Sequence, residues 1–182
     1  MDKDMKWEVL HSEYLFKRPW LTARKDTVKL PTGVVNDEYY VLEYPTWINV
    51  IARTKDGHFV FVRQYRHGLG ETSYEIVAGV CEEGEEPLLA AQRELLEETG
   101  YSGGVWMELT VLSANTSAMN NLSHSFIAEG VELTDSQHLD LTEDIEVHLL
   151  TREQVLDMLM CDAIKQSLMA APLWKYFYTE KK

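Results

Sequence analysis

The strongest constraint on the fold lies between Gly79 and Tyr101, where two glycines bracket a charged, helix-forming stretch. Pro87 suits the first position of a helix because its missing N–H is not needed there, and Gly100 is placed for a left-handed C-terminal cap. Three apolar residues recur at helical spacing and predict a stripe that packs on a sheet: Leu88, Ala91 and Leu95. The acidic residues of this helix are therefore expected to face away from the core.

The helix carries three glutamates at positions i, i+3 and i+4, namely Glu94, Glu97 and Glu98. This spacing places them on one face, where like charges repel unless a cation lies among them. Because oxygen ligands without histidine or paired cysteine favour magnesium or manganese over zinc, the cluster predicts a site for Mg²⁺ or Mn²⁺. Arg93 precedes Glu97 by four residues and is expected to brace its carboxylate. A solvated acidic face is the alternative interpretation of the three glutamates alone.

The full spacing of the segment is more specific than the glutamates. It runs Gly79, five residues, Glu85, seven residues, Arg93-Glu94-Leu95, one residue, Glu97-Glu98, one residue and Gly100-Tyr101. This order resembles the signature of the Nudix hydrolases, with Tyr101 in the place usually given to an aliphatic residue. The resemblance implies an α+β fold, an α/β/α sandwich around a mixed β-sheet with an N-terminal antiparallel strand region. It also implies that Glu94, Glu97, Glu98 and the Ala78 carbonyl bind the metal, and that Glu97 and Arg93 take part in catalysis.

Segments outside this motif resemble the ADP-ribose pyrophosphatase branch of the family. They are residues 62–66, residues 74–79 at the entry to the motif, and residues 143–145 beyond it. The resemblance implies hydrolysis of the pyrophosphate bond of a nucleoside diphosphate linked to another moiety. ADP-ribose or a related nucleotide sugar would give a nucleoside monophosphate and a sugar phosphate. Residues 114–118 read Ala-Asn-Thr-Ser-Ala where the branch often has a Ser-Pro-Gly turn, so ADP-ribose is not singled out among nucleotide sugars.

The general base of that branch is a loop carboxylate after the motif, and the resemblance matches it to Glu143. Asp140 and Asp144 are alternatives, because a small shift in the match would select one of them. The acidic stretch directly precedes a predicted strand, and loops at the mouth of a rigid sheet often carry catalytic residues. A solvated acidic loop is the other interpretation.

Three further residues are candidates for substrate binding: Arg66, Trp47 and Trp20. Arg66 follows a predicted strand and suits bidentate binding of a diphosphate, with a structural ion pair as the alternative. The two tryptophans are candidates for stacking on a base, as aromatics do in this branch, often across a dimer. A core or interface role is the alternative for both.

Composition along the chain predicts two parts. Residues 1–45 predict an N-terminal β-strand region for dimerisation and substrate binding, with strands at 7–17, 20–30 and 38–44. Because three strands cannot bury both faces, they must pack on the rest of the chain or on a partner subunit, and a homodimer is predicted. Residues 46–182 predict the Nudix hydrolase domain, with strands at 47–54, 58–64, 74–78, 106–113, 123–128 and 145–149. Helices are predicted from a Thr151–Gln154 capping box and from Asp162, the second with a kink or break at Pro172.

Charge and hydropathy exclude some partners. The formal net charge of -13 and pI near 4.8 argue against a protein that binds nucleic acid by phosphate neutralisation. No stretch approaches the ~20 apolar residues of a membrane span, so no membrane partner is predicted and the cytoplasm is the expected location. Cys81 and Cys161 are too few for a disulfide framework and are expected to be reduced thiols.

Two other functions remain open. A housecleaning hydrolase of nucleoside triphosphates or dinucleoside polyphosphates would use the same acids, although the N-terminal strand region favours nucleotide sugars. A non-catalytic, nucleotide-sensing Nudix domain is the third possibility. Clustered carboxylates in a metal-free binder would repel one another to no purpose, and metal-dependent turnover would distinguish this class from both enzymes.

Overall fold

The computed structural model describes residues 4–180, which form ten strands and three helices. The strands are β1 (Glu8–Arg18), β2 (Leu21–Lys29), β3 (Val35–Glu43), β4 (Trp47–Thr54), β5 (Phe59–Arg66), β6 (Glu71–Val80), β7 (Tyr101–Ser102), β8 (Val105–Leu112), β9 (Ser123–Leu133) and β10 (Glu146–Leu150). The helices are α1 (Pro87–Thr99), α2 (Arg152–Met160) and α3 (Ser167–Thr179). The chain divides into two compact units, Met1–Pro45 with Ser113–Asn121, and Thr46–Leu112 with Leu122–Lys182.

The first unit contains an antiparallel sheet in the order β1-β2-β3. Every residue of β1 is exposed, whereas β2 buries Ala23, Asp26 and Val28. Asp26 accepts two hydrogen bonds from Arg24 Nε at 3.1 Å, so this buried carboxylate is paired within its own strand. The Ser113–Asn121 segment belongs to this unit, and backbone hydrogen bonds that Leu42 donates and accepts hold it there.

The second unit is built on a seven-stranded mixed sheet in the order β10-β5-β6-β4-β9-β7, with β8 also paired to β9. The pair β4–β9 is parallel and the other pairs are antiparallel. As in any strand, successive residues of β4 point to opposite faces of the sheet. Ile48, Val50 and Ala52 pack with α1, while Ile51 packs with α2 and α3. Helices thus cover both faces of the sheet, and the predicted α+β sandwich is confirmed.

The sequence predicted the positions of most helices and strands, but it did not predict pairing between strands that are distant in the chain. The β4 strand has the predicted bounds, and the predicted capping box is present, with Thr151 Oγ1 accepting from Gln154 N–H at 3.3 Å. In contrast, β6 and β9 extend beyond their predicted ends, because neighbouring strands pair with residues that local propensity alone does not assign. The two-residue β7, held against β9, was not predicted.

The last helix corrects two predictions. It begins at Ser167 rather than near Asp162, which instead adopts a left-handed backbone conformation with φ of 55°. Of the kink or break predicted at Pro172, the break is absent, since α3 runs through this residue to Thr179. Proline has no N–H for the carbonyl four residues earlier. That carbonyl, Leu168 O, accepts a hydrogen bond from Asn49 Nδ2 at 2.9 Å instead.

None of the helices among residues 4–180 has the length and apolar character needed to cross a membrane.

Candidate active site

Helix α1 carries the acidic cluster and ends as predicted. Pro87 occupies its first position, and Gly100 caps it at φ of 75° with its N–H donating to Leu96 O at 2.8 Å. The predicted apolar stripe is wrong by one residue, because Leu88 is exposed and Ala90 is buried in its place. The sheet-facing side of α1 therefore consists of Ala90, Ala91 and Leu95, joined by Glu98 and Thr99.

Arg93 organises the acids of the cluster. Its Nε and Nη2 each donate to one oxygen of Glu85 at 3.0 Å, and Nη2 also donates to Val80 O at 3.0 Å. Its Nη1 donates at 3.0 Å to both Glu94 Oε1 and Glu97 Oε2. The predicted contact between Arg93 and Glu97 is therefore present, and Glu85 orients the guanidinium. The same contacts raise the pKa of Arg93, with the Glu85 hydrogen bonds as the largest cause.

Glu98 corrects the prediction that the acids all face solvent. It is 5% exposed, and its Oε2 has no hydrogen-bond partner among the described residues. Burial raises the pKa of Glu98 to about 8, and the charges of Glu94 and Glu143 add to this effect. Hydrogen bonding to the Ala78 backbone and the nearby charge of Arg66 act in the opposite direction. A buried carboxylate with one bare oxygen and an excess of negative neighbours is suited to a cation.

Glu94 lies directly against the Gly79 backbone. A methyl group at position 79 would stand 2.1 Å from Glu94 Cδ, so only glycine leaves room for this carboxylate. Burial raises the pKa of Glu94, against the lowering effect of Arg93. The sequence requirement for glycine is thus explained by a close approach between the β6 end and α1.

The carboxylates fit a divalent cation by chemistry, but they are not arranged as a ready-made cage. Within residues 4–180, no group of three or more His, Cys, Asp or Glu side chains converges on one point. The ion pairs of Arg93 explain this, because they draw Glu94 and Glu97 toward the guanidinium. The unpaired Glu98 oxygen and the all-oxygen donor set match a hard cation such as Mg²⁺ or Mn²⁺.

Arg66 is held by a residue that the sequence did not single out. Its Nε donates to both oxygens of Glu75 at 2.9 and 3.1 Å, and its Nη2 donates to Glu75 Oε2 at 2.6 Å. Glu75 is only 4% exposed and also accepts from Ser73 Oγ at 2.9 Å. The available sequence signal was a carboxylate inside the apolar run Tyr74–Ala78 of β6, because such a group needs a buried partner. Arg66 Nη1 takes no part in this pair.

Glu143 lies in the turn before β10. Its carboxylate Oε2 accepts from Asp140 N–H at 2.9 Å, and its own N–H donates to Asp140 O at 3.0 Å. Charge from Glu143 reaches both Glu98 and Arg66, contributing to the raised pKa of each. Asp140 and Asp144, the two alternatives for the base, are also exposed.

The two tryptophans lie in different surroundings. Trp47 lines a cavity of about 340 Å³ together with Asn49, Arg66, the Ala78–Val80 segment and residues of α3. Trp20 lies in the turn between β1 and β2 of the first unit and is 80% exposed. The second unit therefore brings together the three glutamates, Arg93, Ala78, Arg66 and Trp47, with Glu143 within electrostatic reach.

Comparisons with known proteins agree with this architecture. A model of the NUDIX domain matches residues 44–169, and a model of the nucleoside diphosphate sugar hydrolase N-terminal domain matches residues 7–42. The chain is 31% identical over 157 residues to an ADP-ribose pyrophosphatase of Bacillus subtilis (strain 168), spanning 86% of this chain and 84% of that protein. It is 30% identical over 157 residues to a methanol dehydrogenase activator of Bacillus methanolicus, with the same two shares of 86% and 84%.

A crystal structure of an ADP compounds hydrolase shares the fold, with a TM-score of 0.79, 18% identity and 98% of each chain covered. The match of the domain model to residues 44–169 covers more than half of the sequence, including the whole acidic cluster and its arginine. The chain belongs to the Nudix hydrolase family.

Proposed function

We propose that the protein hydrolyses the pyrophosphate bond of a nucleoside diphosphate linked to a sugar, with ADP-ribose or a related nucleotide sugar as substrate. The observation that carries this proposal is the carboxylate cluster on α1, with a buried and partly unpaired Glu98, beside Arg66 and a cavity. The names of the relatives and the nucleotide-sugar hydrolase match at residues 7–42 support the same substrate class. The products would be a nucleoside monophosphate and a sugar phosphate.

The cofactor we propose is Mg²⁺, with Mn²⁺ as the alternative, held by Glu94, Glu97, Glu98 and the Ala78 carbonyl. The ion would neutralise charge on the diphosphate and lower the pKa of a water molecule used in the attack. The protein residues set the conditions for this chemistry. Gly79 lets Glu94 approach the backbone, and Arg93 holds the rotamers of Glu94 and Glu97.

Arg66 is the residue we assign to the diphosphate. Its pair with Glu75 uses Nε and Nη2, so Nη1 remains for a phosphoryl oxygen. Because Glu75 is buried, the guanidinium is fixed before substrate arrives, which lowers the entropy cost of binding a charged group. Trp47 is assigned to the wall of the same cavity.

Glu143 is the residue we assign as general base. It is an exposed loop carboxylate whose charge reaches Glu98 and Arg66, so it lies near the position of the diphosphate. Its present contact is with the Asp140 N–H, a single hydrogen bond that the side chain can exchange for a water molecule. A base in a loop can move toward the reacting group when substrate binds.

A homodimer is proposed on the basis of the first unit. The β1 strand exposes five large apolar side chains on its two faces: Val9, Leu10, Tyr14, Leu15 and Phe16. Exposed apolar surface of this kind is typical of a protein interface. A role for Trp20 in stacking on the base across that dimer is part of this proposal. Light scattering should give about twice the 21.0 kDa chain mass, and a fully active monomer would contradict it.

A cytoplasmic location is proposed from cysteine chemistry. Cys81 and Cys161 are both free thiols, and Cys161 is exposed. Exposed, unpaired thiols are typical of a reducing compartment. Cell fractionation followed by immunoblotting would test this location.

The substrate class is tested by measuring phosphate release from a panel of compounds in the presence of a coupled phosphatase and Mg²⁺. The panel contains ADP-ribose, ADP-glucose, GDP-mannose, UDP-sugars, dinucleoside polyphosphates and nucleoside triphosphates. Preferred turnover of a nucleotide sugar supports the proposal. Preferred turnover of triphosphates or dinucleoside polyphosphates would select the housecleaning hydrolase, and binding without turnover would select the sensor.

A further inference from the structure

We propose that Asn49 and Ser123 form the subsite that recognises the ring hydroxyls of the sugar on the far side of the diphosphate from the nucleoside. This inference deepens the proposed function and rests on it. It concerns specificity rather than the chemical step, because neither residue belongs to the acidic cluster. The occupant is a polyhydroxylated sugar ring, which the cavity beside the acids would bind.

The cavity adjoins the residues that we assign to the diphosphate. Its volume is about 340 Å³, within the range typical of small-molecule sites. Arg66 and the Ala78–Val80 segment line one side, and these are the residues that adjoin the acidic cluster. A group attached to the diphosphate can therefore enter this cavity.

Asn49 lines this cavity and carries an unpaired hydrogen-bond acceptor. It is 2% exposed and one of the lining residues, and its Oδ1 accepts no hydrogen bond from any described residue. A buried amide oxygen without a donor is costly, so a native protein normally supplies a partner, such as a bound molecule. A ligand hydroxyl would satisfy this oxygen.

The orientation of the Asn49 amide is fixed by its surroundings. Its Nδ2 donates to Leu168 O at 2.9 Å and to Ser123 Oγ at 3.2 Å. Because a carbonyl accepts only, the nitrogen must face Leu168, and the alternative assignment with the amide reversed would place two acceptors together. Leu168 O is available because Pro172 has no N–H to donate to it. The proline in α3 thereby helps to hold the acceptor in place.

The chemistry of the pair matches a sugar hydroxyl. Ser123 Oγ accepts from Asn49 and keeps its own proton, and the residue is 2% exposed. The pair thus offers one acceptor and one donor side by side, and a hydroxyl both donates and accepts. Apolar walls from Trp47, Leu168 and Met169 would pack on the C–H face of a sugar ring.

The test compares two substrates that share the nucleoside and the diphosphate. ADP-ribose carries the second sugar, and the methyl ester of ADP carries a methyl group in its place. KM and kcat are measured for wild type, Asn49→Ala and Ser123→Ala, with unfolding temperatures recorded for each. The matched controls are Asn121→Ala and Ser125→Ala, which remove the same side chains from buried positions that do not line the cavity and whose Oδ1 and Oγ are likewise unpaired among the described residues.

We expect Asn49→Ala and Ser123→Ala to raise KM for ADP-ribose about tenfold each, the factor that one neutral hydrogen bond supplies. Turnover of ADP-ribose at saturation and both constants for the methyl ester should stay within about twofold. The controls should change neither substrate. An equal effect on both substrates would overturn the proposal, because the cavity would then hold the nucleoside or serve the fold alone. No effect on either substrate would overturn it as well.

A binding measurement separates this proposal from the failure of the proposed function. If neither compound is hydrolysed, titration calorimetry of ribose 5-phosphate and methyl phosphate with wild type and Asn49→Ala still tests the subsite. About tenfold weaker binding of ribose 5-phosphate alone in the variant supports it. Equal binding in the two proteins, or no binding to wild type, overturns it. The same measurement applies to Ser123→Ala if Asn49→Ala does not fold.

Discussion

Helices α1 and α3 lie on opposite faces of the same sheet and differ in how their sequences determine them. The ends of α1 are set by local signals, a proline at the first position and a glycine at the cap. The course of α3 depends on a distant residue, since Asn49 of β4 takes the carbonyl that Pro172 leaves without a partner. The first helix carries the groups assigned to chemistry, and the second borders the cavity assigned to specificity. Changes near α1 should therefore lower kcat, and changes near α3 should raise KM.

The largest effect is expected at Glu143, which we assign to the chemical step together with the groups on α1. Glu143→Gln should lower kcat by roughly 10² to 10⁴, because proton abstraction belongs to the transition state. Steady-state kinetics with ADP-ribose would show this loss with little change in KM or in the Mg²⁺ concentration needed for half activity. Asp140→Asn and Asp144→Asn are the matched controls, and a defect that moves to one of them would reassign the base. Full activity in all three variants would remove the loop from the mechanism.

The acids of α1 come next. Glu97→Gln and Glu98→Gln should each lower kcat by on the order of 10² or more, because each removes a charge that holds the cation. The unfolding temperature should not fall in Glu98→Gln, since the substitution removes a buried carboxylate surrounded by like charge. Glu83→Gln, at an exposed position before the helix, is the control. Normal turnover of either variant at saturating Mg²⁺ would contradict the metal-site assignment.

A smaller loss is expected at the glycine under Glu94. Gly79→Ala should lower kcat by about 10-fold to 10²-fold, because the added methyl would displace the Glu94 side chain rather than the backbone. Circular dichroism should show an unchanged fold. Gly68→Ala is the matched control, because a methyl group there meets nothing within 4 Å. Equal activity of the two variants would mean that the position of Glu94 does not matter.

The smallest effect is expected for a substitution in α3, the helix that borders the cavity. Pro172→Ala restores an N–H that competes for Leu168 O, so the Asn49 amide should be held less firmly. We expect KM for a nucleotide sugar to rise a few-fold with kcat unchanged, and the unfolding temperature to stay level or rise. A fall in kcat with constant KM would break the division of roles between the two helices.

The contrast between α1 and α3 also shows which parts of this structure could be predicted from sequence alone. The bounds of β4 and both ends of α1 follow from spacing and caps, all of them local, whereas the fold class came from the resemblance to the Nudix family. Arg93 with Glu97 could be predicted because helical spacing places them together. The burial of Glu98 could not, since Leu88 and Ala90 both suit the apolar face and only packing against the sheet decides between them.

Contacts between residues that are distant in the chain could not be predicted from the local sequence either. Glu75 under Arg66 depends on the register between β5 and β6, and Asn49 beside Leu168 depends on the docking of α3. Neither contact has a short-range signal apart from a polar residue in an apolar strand. That signal is informative, because Asn49 lines the cavity of the candidate site and Glu75 holds Arg66, which lines it too.

The most direct test of the account is the metal dependence of pyrophosphate hydrolysis by the wild-type protein. Phosphate release from ADP-ribose is followed, with a coupled phosphatase added after quenching, first in EDTA and then across a titration of Mg²⁺. We expect no turnover in EDTA and a saturable recovery with Mg²⁺ that yields AMP and ribose 5-phosphate. Undiminished turnover in EDTA, or recovery of equal size in Glu98→Gln, would contradict it.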